Sequence, residues 1–270
     1  MEWVGLLLLA SLALGGVVAV VPGVDGRSLG GLLAHRIVCA VRGGCDDGDT
    51  SLARAYGDRD AELVRRFAPG LVYEHGERSL PIDYRRCRAH ACADAPDDHD
   101  LDAHRSDAGA RATVFTRRIR RQGRLYVEYW LYYPDSNTAV LGSDKLWNHS
   151  PLRFAHGYPG FHRDDWEAYE VRIDRDGSVW GRSTSHGHWQ SCKRGCRRRW
   201  MRHSGWTRVS RGSHAGHMPH ELERERTSTP EGLRLVPLEA LDRDRYRRLD
   251  DDVEPPWEKA AWSDPEGGQP

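Results

Sequence analysis

Two acids interrupt an apolar pattern in the run Phe161-His162-Arg163-Asp164-Asp165-Trp166-Glu167. Continued to Ile173 with a period of two, Asp165, Glu167, Tyr169, Val171 and Ile173 share one face, and Trp166, Ala168, Glu170 and Arg172 share the other. Tyr169, Val171 and Ile173 mark the first face as buried, and an ionised carboxylate there needs a counter-charge, a proton or a metal. The run Leu125 to Tyr133 repeats the device: Leu125, Val127, Tyr129, Leu131 and Tyr133 lead on one face to Asp135. If these strand ends meet, Asp135, His162, Asp165 and Glu167 form an oxygen-rich set with one imidazole. Such a set suits Mg²⁺, Ca²⁺ or Mn²⁺ ahead of Zn²⁺, although the histidine keeps Zn²⁺ open. The competing reading is that the acids pair with arginines, which are plentiful.

Other residues could act beside such a cation. His186, His188, His214 and His217 read either as structural groups at strand ends or as partners and acid/base groups next to the metal. A metal with open positions can activate water, so a metal-dependent hydrolase of a phosphoester or glycoside is one alternative, with His186 or His214 as its acid or base. No Gly-x-Ser-x-Gly, paired-metal or phosphate-loop motif supports a named enzyme class. The segment Cys192 to Arg202 carries Lys193, Arg194, Arg197, Arg198, Arg199 and Arg202 without an acid. With Trp189, Trp200 and Trp206 it suits an anionic membrane or a cell-wall polymer, or is simply a solvated loop.

The elements that would position these groups are mostly strands. Strand pairs are expected at Thr113–Ile119 with Leu125–Tyr133, turning at Arg121-Gln122-Gly123, and at Glu167–Ile173 with Ser178–Thr184, turning at Asp174 to Gly177. Further strands are expected at Leu71–Glu74 and Trp206–Ser210. Helical spacing marks Ser51–Phe67, interrupted at Gly57, and a second helix near Leu238 to Leu249. The aspartate-rich stretch Asp94–Asp107 reads as a solvated loop. Ten tryptophans and ten tyrosines against four phenylalanines suit a β-rich domain with amphipathic rings at strand ends and surfaces. The fold class is therefore mainly β, a β-sandwich with long loops and a few peripheral helices.

The 270 residues suffice for one substantial domain, and the zero formal net charge gives no indication of a polyanionic partner such as nucleic acid. All six cysteines fall in close pairs, Cys39/Cys45, Cys87/Cys92 and Cys192/Cys196. Local disulfides in an oxidising compartment explain that pattern; zinc is the alternative, although no pair has the spacing of a zinc knuckle. Trp3–Val21 is uncharged and long enough to span a membrane, without a clear cleavage site, and so reads as a signal-anchor. The arginines that follow it argue for the opposite orientation by the positive-inside rule, and the cysteine pairs argue against that. The organisation expected is a membrane segment over 1–26, a short helix and linker over 27–50, and the folded domain over 51–270.

Phe161 to Glu167 resembles the Gly-His-Arg-His-Asp-Trp-Glu heptapeptide of the necrosis- and ethylene-inducing peptide-like proteins, secreted cytolysins of plant-associated microbes. Tyr132-Tyr133-Pro134-Asp135 is similar to that family's upstream aromatic-Pro-acid segment, and Ser185-His186-Gly187 to its Ser-Ala-His-Gly strand end. In layout the chain also resembles relatives named after a yeast vacuolar-sorting protein. Their Gly-Asp-Trp-Glu, Ser-Gln-His and His-Gly-His-Ala-Ser-Tyr-Pro motifs are matched in order by Asp165-Trp166-Glu167, Ser185-His186 and Ser213 to Pro219. Phe67-Ala68-Pro69 and Pro255-Pro256-Trp257 resemble their terminal segments. The resemblance implies a β-sandwich of the actinoporin and fungal-lectin kind, with a divalent cation on Asp135, His162, Asp165 and Glu167. In the cytolysins that cation helps recognise the sugar head of plant sphingolipids. Two departures matter. Phe161 and Asp164 replace a Gly and a His, which points to a different ligand. The spacing after Pro134 is one residue short, which leaves Asn137 as the alternative to Asp135.

Together these readings give an extracytoplasmic, membrane-anchored domain that binds a divalent cation and, through it, a glycolipid, a cell-wall glycan or another polar surface ligand. Trp189, Arg197, Arg198, Arg199, Trp200 and His217 are the candidate ligand contacts. A metal-dependent hydrolase and a structural surface module with a stabilising ion are the alternatives, and the balance favours binding over catalysis.

Overall fold

The computed structural model describes residues 48–75, 77, 79–85, 111–137, 161–185, 187–190, 200–218 and 227–270. The apolar run Trp3–Val21, the Asp94–Asp107 stretch, His186 and the basic residues Arg197, Arg198 and Arg199 lie outside the described residues. So does every expected disulfide: Cys39 with Cys45, Cys87 with Cys92, and Cys192 with Cys196 all fall outside them, and the structure lends these three pairings no support. No helix among the described residues is long and apolar enough to cross a membrane.

The compact unit Gly48–Pro270 opens with two helices, α1 (Gly48–Tyr56) and α2 (Asp58–Arg66), broken where Gly57 adopts φ 75°. Asp58 and Asp60 at the start of α2 and Arg65 and Arg66 at its end complement the helix dipole. Among the described residues, eleven strands follow: β1 Gly70–Tyr73, β2 Thr113–Arg121, β3 Arg124–Asn137, β4 Phe161–Ile173, β5 Val179–Ser185, β6 His188–Gln190, β7 Met201–Arg202, β8 Trp206–Val209, β9 Gly216–His217, β10 Thr227–Ser228 and β11 Arg234–Pro237. They form two mixed sheets. The smaller has the order β10-β1-β8-β9, with β1 and β8 parallel. The larger has the order β11-β2-β3-β4-β5-β6, with β7 also on β5 and with β11 and β2 parallel.

The alternation expected for β4 is present. Val127, Tyr129, Leu131, Tyr133, Tyr169 and Val171 face a core shared with Leu71, Tyr73 and Val209 of the smaller sheet and with Leu52 and Val64 of the helices. The opposite face is buried too. Phe115, Trp130, Tyr132, Trp166 and Ala168 pack under the C-terminal segment through Val236, Leu238 and Ala261, with Tyr246, Trp257 and Trp262 at the margin. A large sheet covered on both sides explains why its tyrosines sit inside rather than at strand ends. Two of the hydroxyls find internal acceptors: Tyr129 donates to the Val64 carbonyl at 2.7 Å and Tyr132 to Asp164 Oδ1 at 2.8 Å.

The β2–β3 hairpin turns at Gln122-Gly123, where φ values of 51° and 74° give the mirror-image turn that suits twisted strands. The segment after β11 departs from expectation. Instead of one helix over Leu238–Leu249 there are two 3-10 turns, Leu238–Ala240 and Arg243–Arg245, separated by extended Leu241 and Asp242. Asp242-Arg243-Asp244-Arg245 offers no apolar stripe to bury, so nothing holds a helix against the sheet. A last short helix, α3 (Ala260–Ser263), buries Ala261.

Candidate functional site

β3 and β4 pair from Leu125↔Ile173 to Asn137↔Phe161 but skip Pro134, which has no N–H to give, opposite Asp164 at φ 62°. Beyond this interruption a cavity of about 400 Å³ opens at the end of the larger sheet. Ser136, His162, Asp165, Glu167, Thr184 and Ser213 line it from the sheet side, and Asp252, Val253, Glu254 and Lys259 from the C-terminal segment. Three of the four expected metal ligands, His162, Asp165 and Glu167, therefore share one pocket. Asp135 is buried and does not line it, although its charge reaches His214.

Each acid is held by a specific partner. Asp165 Oδ2 meets His214 Nδ1 at 2.8 Å, and the His214 ring stacks on Tyr133 with centroids 3.8 Å apart and planes 7° from parallel. On its other side His214 Nε2 lies 3.8 Å from Glu77 Oε2. Glu77 is fixed in turn by the N–H groups of Ser79 at 2.6 Å and Gly212 at 2.8 Å. Burial alone would hold the imidazolium down. The Asp165 hydrogen bond and the charges of Glu77, Asp165 and Asp135 outweigh it and raise the His214 pKa. His214 is thus a buried bracket for Asp165, 3% exposed, rather than a group that meets solvent.

Glu167 sits where β4 and β5 part. Thr184 Oγ1 accepts the Ala168 N–H at 2.7 Å in place of a ladder bond, and its hydroxyl also bonds Glu167 Oε2. The Gly216 N–H on β9 also serves the Glu167 carboxylate. A Cβ at Gly216 would come within 2.2 Å of Ser183 Oγ, so β9 approaches this closely only as glycine. Burial, then the Asp165 charge, push the Glu167 carboxyl well above the usual range; Thr184, Lys259 and Gly216 pull it back only in part. Lys259 mirrors it: burial lowers the amine, and the charges of Glu167, Asp165 and Glu254 offset part of that. None of the described lining residues is an arginine.

Of the expected ligand contacts, the described ones, Trp189, Trp200 and His217, do not line the pocket. Trp189 is buried and donates to the Gly268 carbonyl at 2.7 Å, and Trp200 donates to Glu266 Oε1 at 3.1 Å. Both rings sandwich the Arg182 guanidinium, each with its centroid 4.1 Å from Cζ. His217 is buried, with Nε2 3.9 Å from Glu74 Oε1. Sequence reading missed Thr184, Glu77, Asp252, Glu254 and Lys259 as parts of the site. Only Lys259 carried a signal, as one of three lysines in an arginine-rich chain.

No family model matches the chain, and no curated protein does. Among solved structures, the chain is similar to NLPPya in complex with mannosamine, with 18% identity and a TM-score of 0.46 over 77% of this chain and 88% of that one. It is also similar to Necrosis and Ethylene inducing Protein 2 from the causal agent of cocoa's Witches Broom disease, with 18% identity and a TM-score of 0.39 over 67% and 76% of the two chains. A third match is the non-toxic HaNLP3 protein, with 13% identity and a TM-score of 0.43 over 67% and 75%. The likeness to vacuolar-sorting-associated proteins finds no support among these structures.

Proposed function

We propose that the pocket binds a divalent cation on Asp165 and Glu167 and, through the cation's open positions, a polar sugar- or phosphate-bearing ligand on a surface. The observation that carries this reading is the carboxylate pair itself. Two buried acids share a cavity that no arginine among the described residues lines, and Glu167 is driven toward its protonated form by burial and by its neighbour. An added cation would relieve both penalties.

The donor set fits a particular kind of ion. Among the described residues no three His, Cys, Asp or Glu side chains converge as a ready-made cage. Two carboxylates, with His162 and the Ser136 hydroxyl nearby, suit a hard cation that completes its shell with water and ligand oxygens, so Mg²⁺, Ca²⁺ or Mn²⁺ rather than Zn²⁺. Bound there, the ion would supply positions for hydroxyl or phosphate oxygens. The chain's own residues do the rest. His214 fixes the rotamer of Asp165, Thr184 and the Gly216 N–H fix Glu167, and Asp252 and Glu254 at the mouth extend the negative field that draws a cation in. The anchored, extracytoplasmic setting rests on Trp3–Val21 and the paired cysteines alone.

Calorimetric titration of Mg²⁺, Ca²⁺, Mn²⁺ and Zn²⁺ into the chelator-stripped protein tests the reading. Saturable one-site binding that Asp165→Asn and Glu167→Gln both lose is the expected result, and a folded wild type that binds none of the four would sink it. One observation favours metal-dependent hydrolysis as a second reading: Glu167, pushed toward its acid form by burial and by Asp165, lines the cavity beside His162. Cation-dependent turnover of chromogenic phosphoesters or glycosides, abolished by Glu167→Gln, would decide for it.

A further inference from the structure

We infer that the segment Tyr246–Lys259 carries the pocket's own tethered cation, the Lys259 ammonium, which an incoming metal ion must displace. The inference rests on reading the pocket as a cation site, and it names how that site is regulated.

The segment is built as a fixed loop. Asp164, left-handed and fully buried, accepts the Tyr132 hydroxyl on Oδ1 at 2.8 Å and the Leu249 N–H on Oδ2. Trp166 Nε1 donates to the Tyr246 hydroxyl at 3.0 Å, and the Tyr246 ring meets Trp257 edge-on with centroids 4.9 Å apart. Arg248 closes the loop by pairing with Glu258 and by donating to the Asp251 carbonyl at 3.1 Å. At the far end α3 buries Ala261. The backbone on both sides of Lys259 is therefore anchored, and its side chain lines the same cavity as Asp165 and Glu167. Asp164 thus has a role that its place in the acidic run does not announce: it positions the segment that places Lys259 in the wall of the acids' cavity.

A protonated amine cannot ligate a metal ion, and two like charges in one desolvated cavity repel strongly. Lys259 and a divalent cation are consequently alternatives at the acid pair. The four-carbon lysine stem lets the ammonium leave without moving the anchored backbone. Glu254, exposed at the pocket mouth and already within electrostatic reach of Lys259, is the acid that can receive it. A site whose internal counter-ion must be expelled binds cations more weakly than its donors alone would, by the fraction of time the ammonium is in place.

The test compares Ca²⁺ and Mg²⁺ titrations of the full chain as wild type, Lys259→Met and Lys259→Arg. If the ammonium holds the pocket about nine-tenths of the time, Lys259→Met binds about tenfold tighter than wild type, while Lys259→Arg stays within about twofold. Equal or weaker binding by Lys259→Met overturns the inference while leaving the cation site standing. Binding by none of the three overturns the cation reading and this inference with it. A second measurement needs no substitution at the site. Reductive ¹³C-methylation labels the three lysines, and the Lys259 signal, identified by its absence from Lys259→Arg, shifts on Ca²⁺ saturation. A Lys259 signal that stays in place while Ca²⁺ binds also overturns the proposal.

Discussion

β3 and β4 carry two pairs of buried acids, and the molecule treats them differently. On the face beneath the C-terminal segment, Glu128 stands opposite Glu170, both fully buried. Arg182 reaches Glu170 at 2.6 Å, Arg117 lies 3.4 Å from Glu128, and Trp130 Nε1 donates to Glu128 at 3.0 Å. On the other face, Asp165 and Glu167 have a histidine, a threonine hydroxyl, a backbone N–H and a half-buried lysine, and they line a cavity. Both pairs occupy equally costly positions. A guanidinium held against a carboxylate answers part of that charge from inside the fold; a pair left to weaker partners beside open space stays available to something from outside. Which groups answer a buried carboxylate thus separates structural acids from candidate ligands.

The largest expected effect breaks the structural pair. Arg182→Ala removes the Glu170 partner, the stack between Trp189 and Trp200, and bonds to the carbonyls of Pro265 at 2.6 Å and Glu266 at 3.3 Å. It should cost about 3–5 kcal/mol in urea unfolding. Glu167→Gln keeps the shape of its side chain and discards a disfavoured buried charge, so it should leave the protein unharmed or about 1 kcal/mol more stable. The reverse ranking would dissolve the distinction between the two pairs.

A pH profile sharpens it. Burial pushes Glu128 up to about 7 and Glu170 up to about 8, against the opposing pull of Arg117 and Arg182. The folded protein therefore keeps protons that the unfolded chain has released by about pH 5. The contribution to stability is full below the unfolded carboxyl pKa and is lost as pH rises through about 7 and 8. A melting temperature about 5 °C higher at pH 5.5 than at pH 8.5 is expected, with a flatter profile in Glu170→Gln. Glu167 contributes in the same sense, and Glu167→Gln removes that share. Saturating cation should flatten the Glu167 share alone and leave the Glu128/Glu170 share intact.

Much of this was legible in the residues themselves. Alternation along Asp165–Ile173 placed the acids on an inward face, and Gln122-Gly123 and Asp174–Gly177 marked their turns, because these signals are local and periodic. The partners were not legible. Arg117 and Arg182 stand among thirty-odd other basic residues, and only strand register brings them to Glu128 and Glu170. His214 reaches Asp165 from 49 positions away, at φ 48° in a loop after β8. The C-terminal segment has no period at all: it covers a sheet face through Tyr246, Trp257 and Trp262, so nothing in its own pattern announces Lys259 as part of a site. Alternation alone also left the Glu170 face uncovered, since it does not say what a tail will bury.

The smallest structural effect gives the finest resolution. His162 lines the pocket, is half-buried, and has a long contact of 3.3 Å from Nδ1 to the Arg163 carbonyl. His162→Ala should therefore change stability by less than about 0.5 kcal/mol, which leaves any change in cation binding free of folding artefacts. Imidazole is a better donor to Mn²⁺ than to Ca²⁺, so a ligating His162 predicts a selective loss, about tenfold for Mn²⁺ and little for Ca²⁺. Equal losses for both ions would assign His162 to the electrostatics of the mouth, alongside Asp252 and Glu254. No loss for either would confine the site to Asp165 and Glu167. In that case the difference between the two acid pairs reduces to the arginines that one of them lacks.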